Sequence, residues 1–379
     1  MAKPSFYFYC LPQGHGSRPA YQYPSIVLAQ GLKALGCGVH ANIDYWRQGD
    51  GTHLFTHDPH VPPDDCSVVM VPCQWRAYGL EYPEFLFKQG RPYKTVMIDI
   101  CDDFYSPAFE PQARSFDLIL KQKNTWLHYP NNCRSSWVFG ISDEIMAAAS
   151  KVALPFASRQ RVIMHNARHT HCVRALAQER FLQSLNMPLA TQQQPFGYEI
   201  SPAQIAQGDT PEQRLHLQSG GRHHPDYLKQ MGAIQVVAGF GGIFAFNWEV
   251  QPILHQLANY LIHRRSQGRL VQLLEKLRWQ FKHTRVVYQW DSWRLWEAWA
   301  MGCVVLHLDF DCYGIELPVM PKNYEHYVGV DLQNPTQSID FLHNASQSEL
   351  AAIAAAGHAW AIQHYSPIAT AQRLLDLLH

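Results

Sequence analysis

Asp291, Ser292, Arg294 and Glu297 fall together where an amphipathic run begins, at a helix start that can cap itself and seat a phosphate. A short side-chain oxygen at Asp291 or Ser292 can accept from a free N–H of the first helical turn. The helix N-terminus behind them carries unpaired N–H groups and partial positive charge, a natural seat for a phosphate. Arg294 adds a guanidinium, and Arg285 and Arg168 extend the cationic set. Arg168 lies in a loop between a predicted strand and a predicted helix, well placed for a diphosphate. Near the start of the chain, His15 lies in the glycine-punctuated loop 12–19 with Gly14, Gly16 and Arg18. Imidazole titrates near neutrality and suits a general base. Asp102 and Asp103 follow another predicted strand, where a carboxylate can deprotonate a hydroxyl. His165, His169 and His171 invite a metal reading, but they straddle a strand and a loop with no carboxylate adjacent in sequence. No metal is expected.

These residues need rigid elements to carry them. Leu295, Ala298, Trp299 and Met301 recur at helical spacing, and Gly302 stops that helix by taking the left-handed conformation. Val304 to Leu308 is a mostly apolar run of strand length, as expected for a parallel sheet covered on both faces. Upstream, a strand over 6–11, the glycine loop, a helix over 26–35 and a strand over 39–43 make a Rossmann-like opening without a full GxGxxG. Further short strands are predicted at 67–71, 95–100 and 118–120. A helix at 142–149 and a linker at 151–155 close this half. A second half begins with a strand at 161–166 and a helix at 173–185, then an excursion over 188–221. It continues with a strand at 233–239, helices at 253–262 and 270–281, and a strand at 286–288. Helices at 336–342, 348–363 and 367–378 end the chain.

The stretch from Asp291 to Leu308 resembles the C-terminal nucleotide-sugar half of GT-B-fold glycosyltransferases, in particular the exostosin-like and group 1 branches. There a Ser/Asp-rich turn precedes Arg-x-x-Glu-Ala-x-Ala-x-Gly-Cys-x-Pro/Val-Val. Gly314 to Pro318, Tyr324 to Val328 and His364 to Ser366 follow in the order of that family. The resemblance implies an α/β protein with two Rossmann-like domains facing across a cleft and a C-terminal helix crossing back onto the first. The expected divisions are an acceptor domain over 1–152, a nucleotide-sugar domain over 153–363 with an insertion at about 240–288, and a returning helix over 364–379. It implies transfer of a sugar from a nucleotide-diphosphate sugar, without metal or cofactor, to an acceptor that is a glycan, a lipid or a small molecule. Arg168, Arg285, Gln289, Asp291, Ser292, Arg294 and Glu297 would hold the donor, with Glu297 accepting from the ribose hydroxyls. Gly14, Gly16, Arg18 and Asp103 would face the acceptor. His15, or failing it Asp102, would be the base if transfer inverts. Two departures from the family stand out. Gln289 occupies the first position of the Glu-x7-Glu pair of retaining members, and about fifty residues separate Gly239 from Asp291. They motivate a binding module that has lost transfer as an alternative. A nucleotide-sugar 2-epimerase is another.

Lys plus Arg and Asp plus Glu each number 31, so the expectation from net charge is no nucleic-acid partner. Nine cysteines without a CxxC pair argue against a disulfide framework or structural zinc and for a reducing cytoplasm. No apolar run approaches a membrane span, which leaves room for peripheral membrane contact only.

Overall fold

The computed structural model describes residues 3–12, 18–78, 80–101, 111–125, 134–165, 171–190, 208, 210–244 and 285–379. The predicted helices at 253–262 and 270–281 lie outside these. Two parallel sheets organise the chain. The first comprises β1 (Ser5–Phe8), β2 (Gly38–Ala41), β3 (Val68–Pro72), β4 (Lys94–Asp99), β5 (Leu118–Gln122) and β6 (Arg134–Trp137), in the order β2-β1-β3-β4-β5-β6. The second comprises β7 (Gln160–Met164), β8 (Leu189–Ala190), β9 (Ile234–Ala238), β10 (Val304–Leu308) and β11 (Val328–Val330), in the order β8-β7-β9-β10-β11. Every neighbour in both is parallel. Each sheet turns back once beside its first strand, the doubly wound order that places ligands at the carboxyl edge. β3, β9 and β10 are buried along their whole length, as runs such as Val-Val-Met-Val-Pro and Val-Val-Leu-His-Leu require.

The longer helices among the described residues are α1 (Arg18–Ala34), α2 (Asp143–Val152), α3 (Cys172–Arg180), α4 (Pro211–Gln218), α5 (Pro225–Gly232), α6 (Trp293–Ala300), α7 (Thr336–Asn344), α8 (Gln347–Tyr365) and α9 (Pro367–Leu378). Their ends follow from local chemistry. Ser142 accepts from Ile145 N at the start of α2, and Thr210 with Gln213 forms a capping box on α4. Ser346 with Glu349 does the same for α8. Gly302 adopts φ +62° as expected, and Cys303 N closes back on Ala298 O at 3.0 Å. α1 differs from expectation: it begins before Pro24 rather than after it and carries that proline inside. The strand expected at 286–288 is a two-residue ladder, Val287–Tyr288 antiparallel to Ile243–Phe244, outside the main sheet.

The fold is that of two Rossmann-like domains facing across a cleft, and α9 crosses back onto the first. Gly31 of α1 makes that crossing close, because a Cβ there would lie 1.9 Å from Pro367 O and 2.7 Å from Ala371 Cβ. Past β5 the chain takes a left-handed turn at Lys123, φ +60°. Asn124–Thr125 then pairs antiparallel with Ile315–Glu316, so one short ladder joins the carboxyl edges of the two halves.

Candidate functional site

The site is built where α6 begins. Ser292 takes the extended N-cap conformation, yet neither it nor Asp291 caps the helix through its side chain. Asp291 is turned toward the first domain instead. Its Oδ2 accepts from Gln122 Nε2 at 2.6 Å and Phe139 N at 3.0 Å, and its Oδ1 accepts from Trp296 Nε1 at 2.7 Å. Burial raises its pKa, with those donors opposing the shift. Ser292 Oγ is left buried and unpaired. So are Trp293 Nε1, Arg294 Nε and His223 Nε2 among the described residues. Other buried polar atoms of the described residues are unpaired as well, but these four gather at one helix end, which makes it the candidate place for a ligand.

His223 enters this cluster from the loop before α5, where it adopts φ +51°. Its Nδ1 is hydrogen-bonded to Glu297 Oε1, and Tyr227 Oη donates to Glu297 Oε2 at 3.2 Å. Glu297 is 4% exposed, with both oxygens engaged by its own domain. The imidazole stacks on Tyr23 from α1 with ring centroids 5.6 Å apart, and Trp293 packs against it in a tilted contact at 4.6 Å. Phe139 closes on Trp293 at 5.6 Å, and the Arg222 guanidinium lies 4.9 Å over the Trp293 ring. Rings from both domains thus wall the helix end.

The other expected donor residues are distributed differently. Gln289 lies two residues before Asp291 in a left-handed conformation, φ +59°, packed against Gly241, where a Cβ would meet its carbonyl at 3.3 Å. Arg285 is exposed and pairs with Asp331 at 2.9 Å and Cys312 Sγ at 2.7 Å, so its guanidinium is engaged at the end of β11. Gly14, His15, Gly16, Asp102, Asp103 and Arg168 lie outside the described residues, and Arg18 opens α1 without a described side chain. On the first-domain side, Asp99 ends β4 buried, 3.3 Å from Lys121 Nζ at the end of β5. Among the described residues no group of three or more His, Cys, Asp or Glu could hold a metal ion. His171 Nδ1 accepts from Gly242 N at 3.1 Å instead.

Tyr23, Arg222, His223 and Tyr227 were not anticipated. A signal for the middle pair existed in Gly220-Gly221-Arg222-His223-His224-Pro225, a glycine-rich basic loop opening onto a helix with proline at its first position.

No protein family matches the chain, and no curated protein matches it either. Solved structures do. An alpha-glucosyltransferase in complex with UDP-glucose and DNA containing an abasic site aligns over 99% of this chain and 98% of its own, with TM-score 0.53 and 9% identity. An alpha-glucosyltransferase in complex with UDP and a 13-mer DNA containing a HMU base aligns over 100% of both chains, with TM-score 0.53 and 9% identity. AviGT4, a glycosyltransferase involved in avilamycin A biosynthesis, aligns over 99% of this chain and 96% of its own, with TM-score 0.50 and 13% identity. The fold is therefore GT-B. These neighbours also correct one expectation: proteins of this fold are described in complex with DNA, so a balanced net charge is no ground for setting nucleic acid aside. Net charge averages over the whole surface, whereas nucleic acid meets only a patch of it.

Proposed function

We propose that the protein is a glycosyltransferase that moves a sugar from a nucleotide-diphosphate sugar to an acceptor hydroxyl. The donor diphosphate binds at the N-terminus of α6, in a nucleotide-sugar domain over 153–363 that faces an acceptor domain over 1–152. The observation that carries this reading is the group of unpaired polar atoms at that helix end: Ser292 Oγ, Trp293 Nε1, Arg294 Nε and His223 Nε2. Free backbone N–H groups and Arg294 neutralise the charge that gathers on the leaving diphosphate, as fixed donors in a water-poor site do best. In this reading no metal or cofactor is required. His15, ahead of Asp102, remains the choice of base on the acceptor side.

A thermal-shift screen against UDP, GDP, ADP and CMP tests it, since a ligand that binds only the native state raises its melting temperature. One nucleoside diphosphate should stabilise the protein, and Arg294→Ala should lose most of that stabilisation while melting normally without ligand. A flat response to all four nucleotides would sink the proposal.

The second reading is a binding module on the same fold. The burial of Glu297 with both oxygens already bonded to His223 and Tyr227 favours it, because the carboxylate expected to hold ribose is engaged within the protein. Nucleotide binding with neither hydrolysis nor transfer of the matching nucleotide sugars would select it.

A further inference from the structure

We propose that His223 joins Arg294 as a side chain that this helix end offers to the diphosphate, and that Glu297 is the positioning residue that aims it rather than a ligand of the ribose. The inference rests on the nucleotide reading above and assigns a residue within it.

Four independent features converge on the imidazole. Its backbone is left-handed, φ +51°, although it is not glycine, and such conformations persist where the surroundings hold them and cluster at ligand sites. Its orientation is fixed through one nitrogen alone. Glu297 can only accept, so Nδ1 carries the proton of that bond, and Tyr227 Oη steadies the carboxylate from its second oxygen. Tyr23 and Trp293 pack against the ring and against each other, the three centroids lying 4.6–5.6 Å apart. The remaining nitrogen, Nε2, is buried and unpartnered, on the side of the ring away from Glu297, and it shares that state with Trp293 Nε1 and Arg294 Nε. Those two are donors with no acceptor function, so the missing partner is an acceptor. A phosphate oxygen is an acceptor of that kind, and Nε2 joins these donors when it carries a hydrogen. When the glycosyl bond to the diphosphate breaks, its electron pair stays on the oxygen. An Nε2–H bonded to that diphosphate takes up part of the added charge.

The test compares UDP, GDP and ADP with their nucleosides by calorimetry on the wild type, His223→Asn, Glu297→Gln and Tyr227→Phe. For the diphosphate that binds, His223→Asn should weaken affinity by about tenfold or more, the scale of a charge-assisted bond, while leaving the nucleoside untouched. Glu297→Gln should weaken the same diphosphate, and Tyr227→Phe less so, again without effect on the nucleoside. Circular dichroism and melting temperature identify any variant that fails to fold; Tyr227→Phe removes only a hydroxyl and keeps the proposal testable in that event. Equal affinity of wild type and His223→Asn for the diphosphate would overturn the inference and leave the nucleotide site standing. So would a loss shared equally by nucleoside and diphosphate. Absence of binding by the wild type would overturn both.

Discussion

His307 is buried in the middle of β10, with Nδ1 3.3 Å from Leu308 O and Nε2 3.4 Å from Trp290 O. A neutral ring has one N–H, so it can donate to only one of these carbonyls at a time. Burial among Phe240, Trp290 and Phe310 lowers its pKa to about 4 from the usual value of 6.5. The folded protein therefore refuses a proton that the unfolded chain accepts. Stability from this residue is complete above pH 6.5 and is lost as pH falls toward 4, by roughly 3 kcal/mol in total. His307→Gln should flatten that acid limb, read as denaturation midpoints at pH 7 and pH 5; an unchanged slope would place the acid sensitivity elsewhere. The contrast with His223 explains what could be read from residue type alone. Ser292 and Arg294 announced themselves because their neighbours in sequence define the helix end they occupy. His223 is brought to the same end from some seventy residues away, and only the packing of α5 against α6 reveals it.

At the scale of elements, periodicity found what tertiary structure did not have to impose. β10 was legible because a parallel strand covered on both faces is apolar throughout, and α6 because Gly302 and Ser292 bracket it. β6 went unseen: Arg-Ser-Ser-Trp has no apolar run, and it becomes a strand as the sheet edge pairing β5. The crossing of α9 over α1 makes a sharper test. Gly31 is required there by space, not by backbone conformation, because Pro367 O occupies the position of its missing Cβ. Gly31→Ala would improve helix propensity in isolation by about 1 kcal/mol. In this fold it should instead destabilise by about 1–3 kcal/mol, the usual cost of overpacking. The C-terminal helix should become a protease-sensitive tail. Unfolding in urea together with limited proteolysis separates the two, and a stabilised variant would mean that α9 does not lie on α1.

For the whole molecule, the question is what holds the two sheets in one arrangement besides the buried apolar cluster that runs from one to the other. The returning helix supplies one tie: Lys94 Nζ at the start of β4 donates to Leu378 O near the chain end, and Ile141 N donates to Tyr365 O at 3.0 Å. The second tie is Asp291. Two of its three donors, Gln122 Nε2 and Phe139 N, belong to the first half of the chain, and the third, Trp296 Nε1, to the second. Each net bond contributes about 1 kcal/mol, and a buried donor left unpaired costs more than that. Asp291→Ala strands all three at once and should cost about 3 kcal/mol or more, concentrated at the juncture rather than in either core. Two calorimetric transitions are then expected for the variant and one for the wild type. The pH dependence has the opposite sign to that of His307. A carboxyl whose pKa is raised in the fold contributes most below the ordinary carboxylate range and loses that contribution as pH rises through its raised value. The difference in midpoint between wild type and Asp291→Ala should therefore widen on acidification. A single transition at the wild-type temperature at every pH would show that the juncture is held by the helix crossing and the Thr125–Ile315 ladder alone.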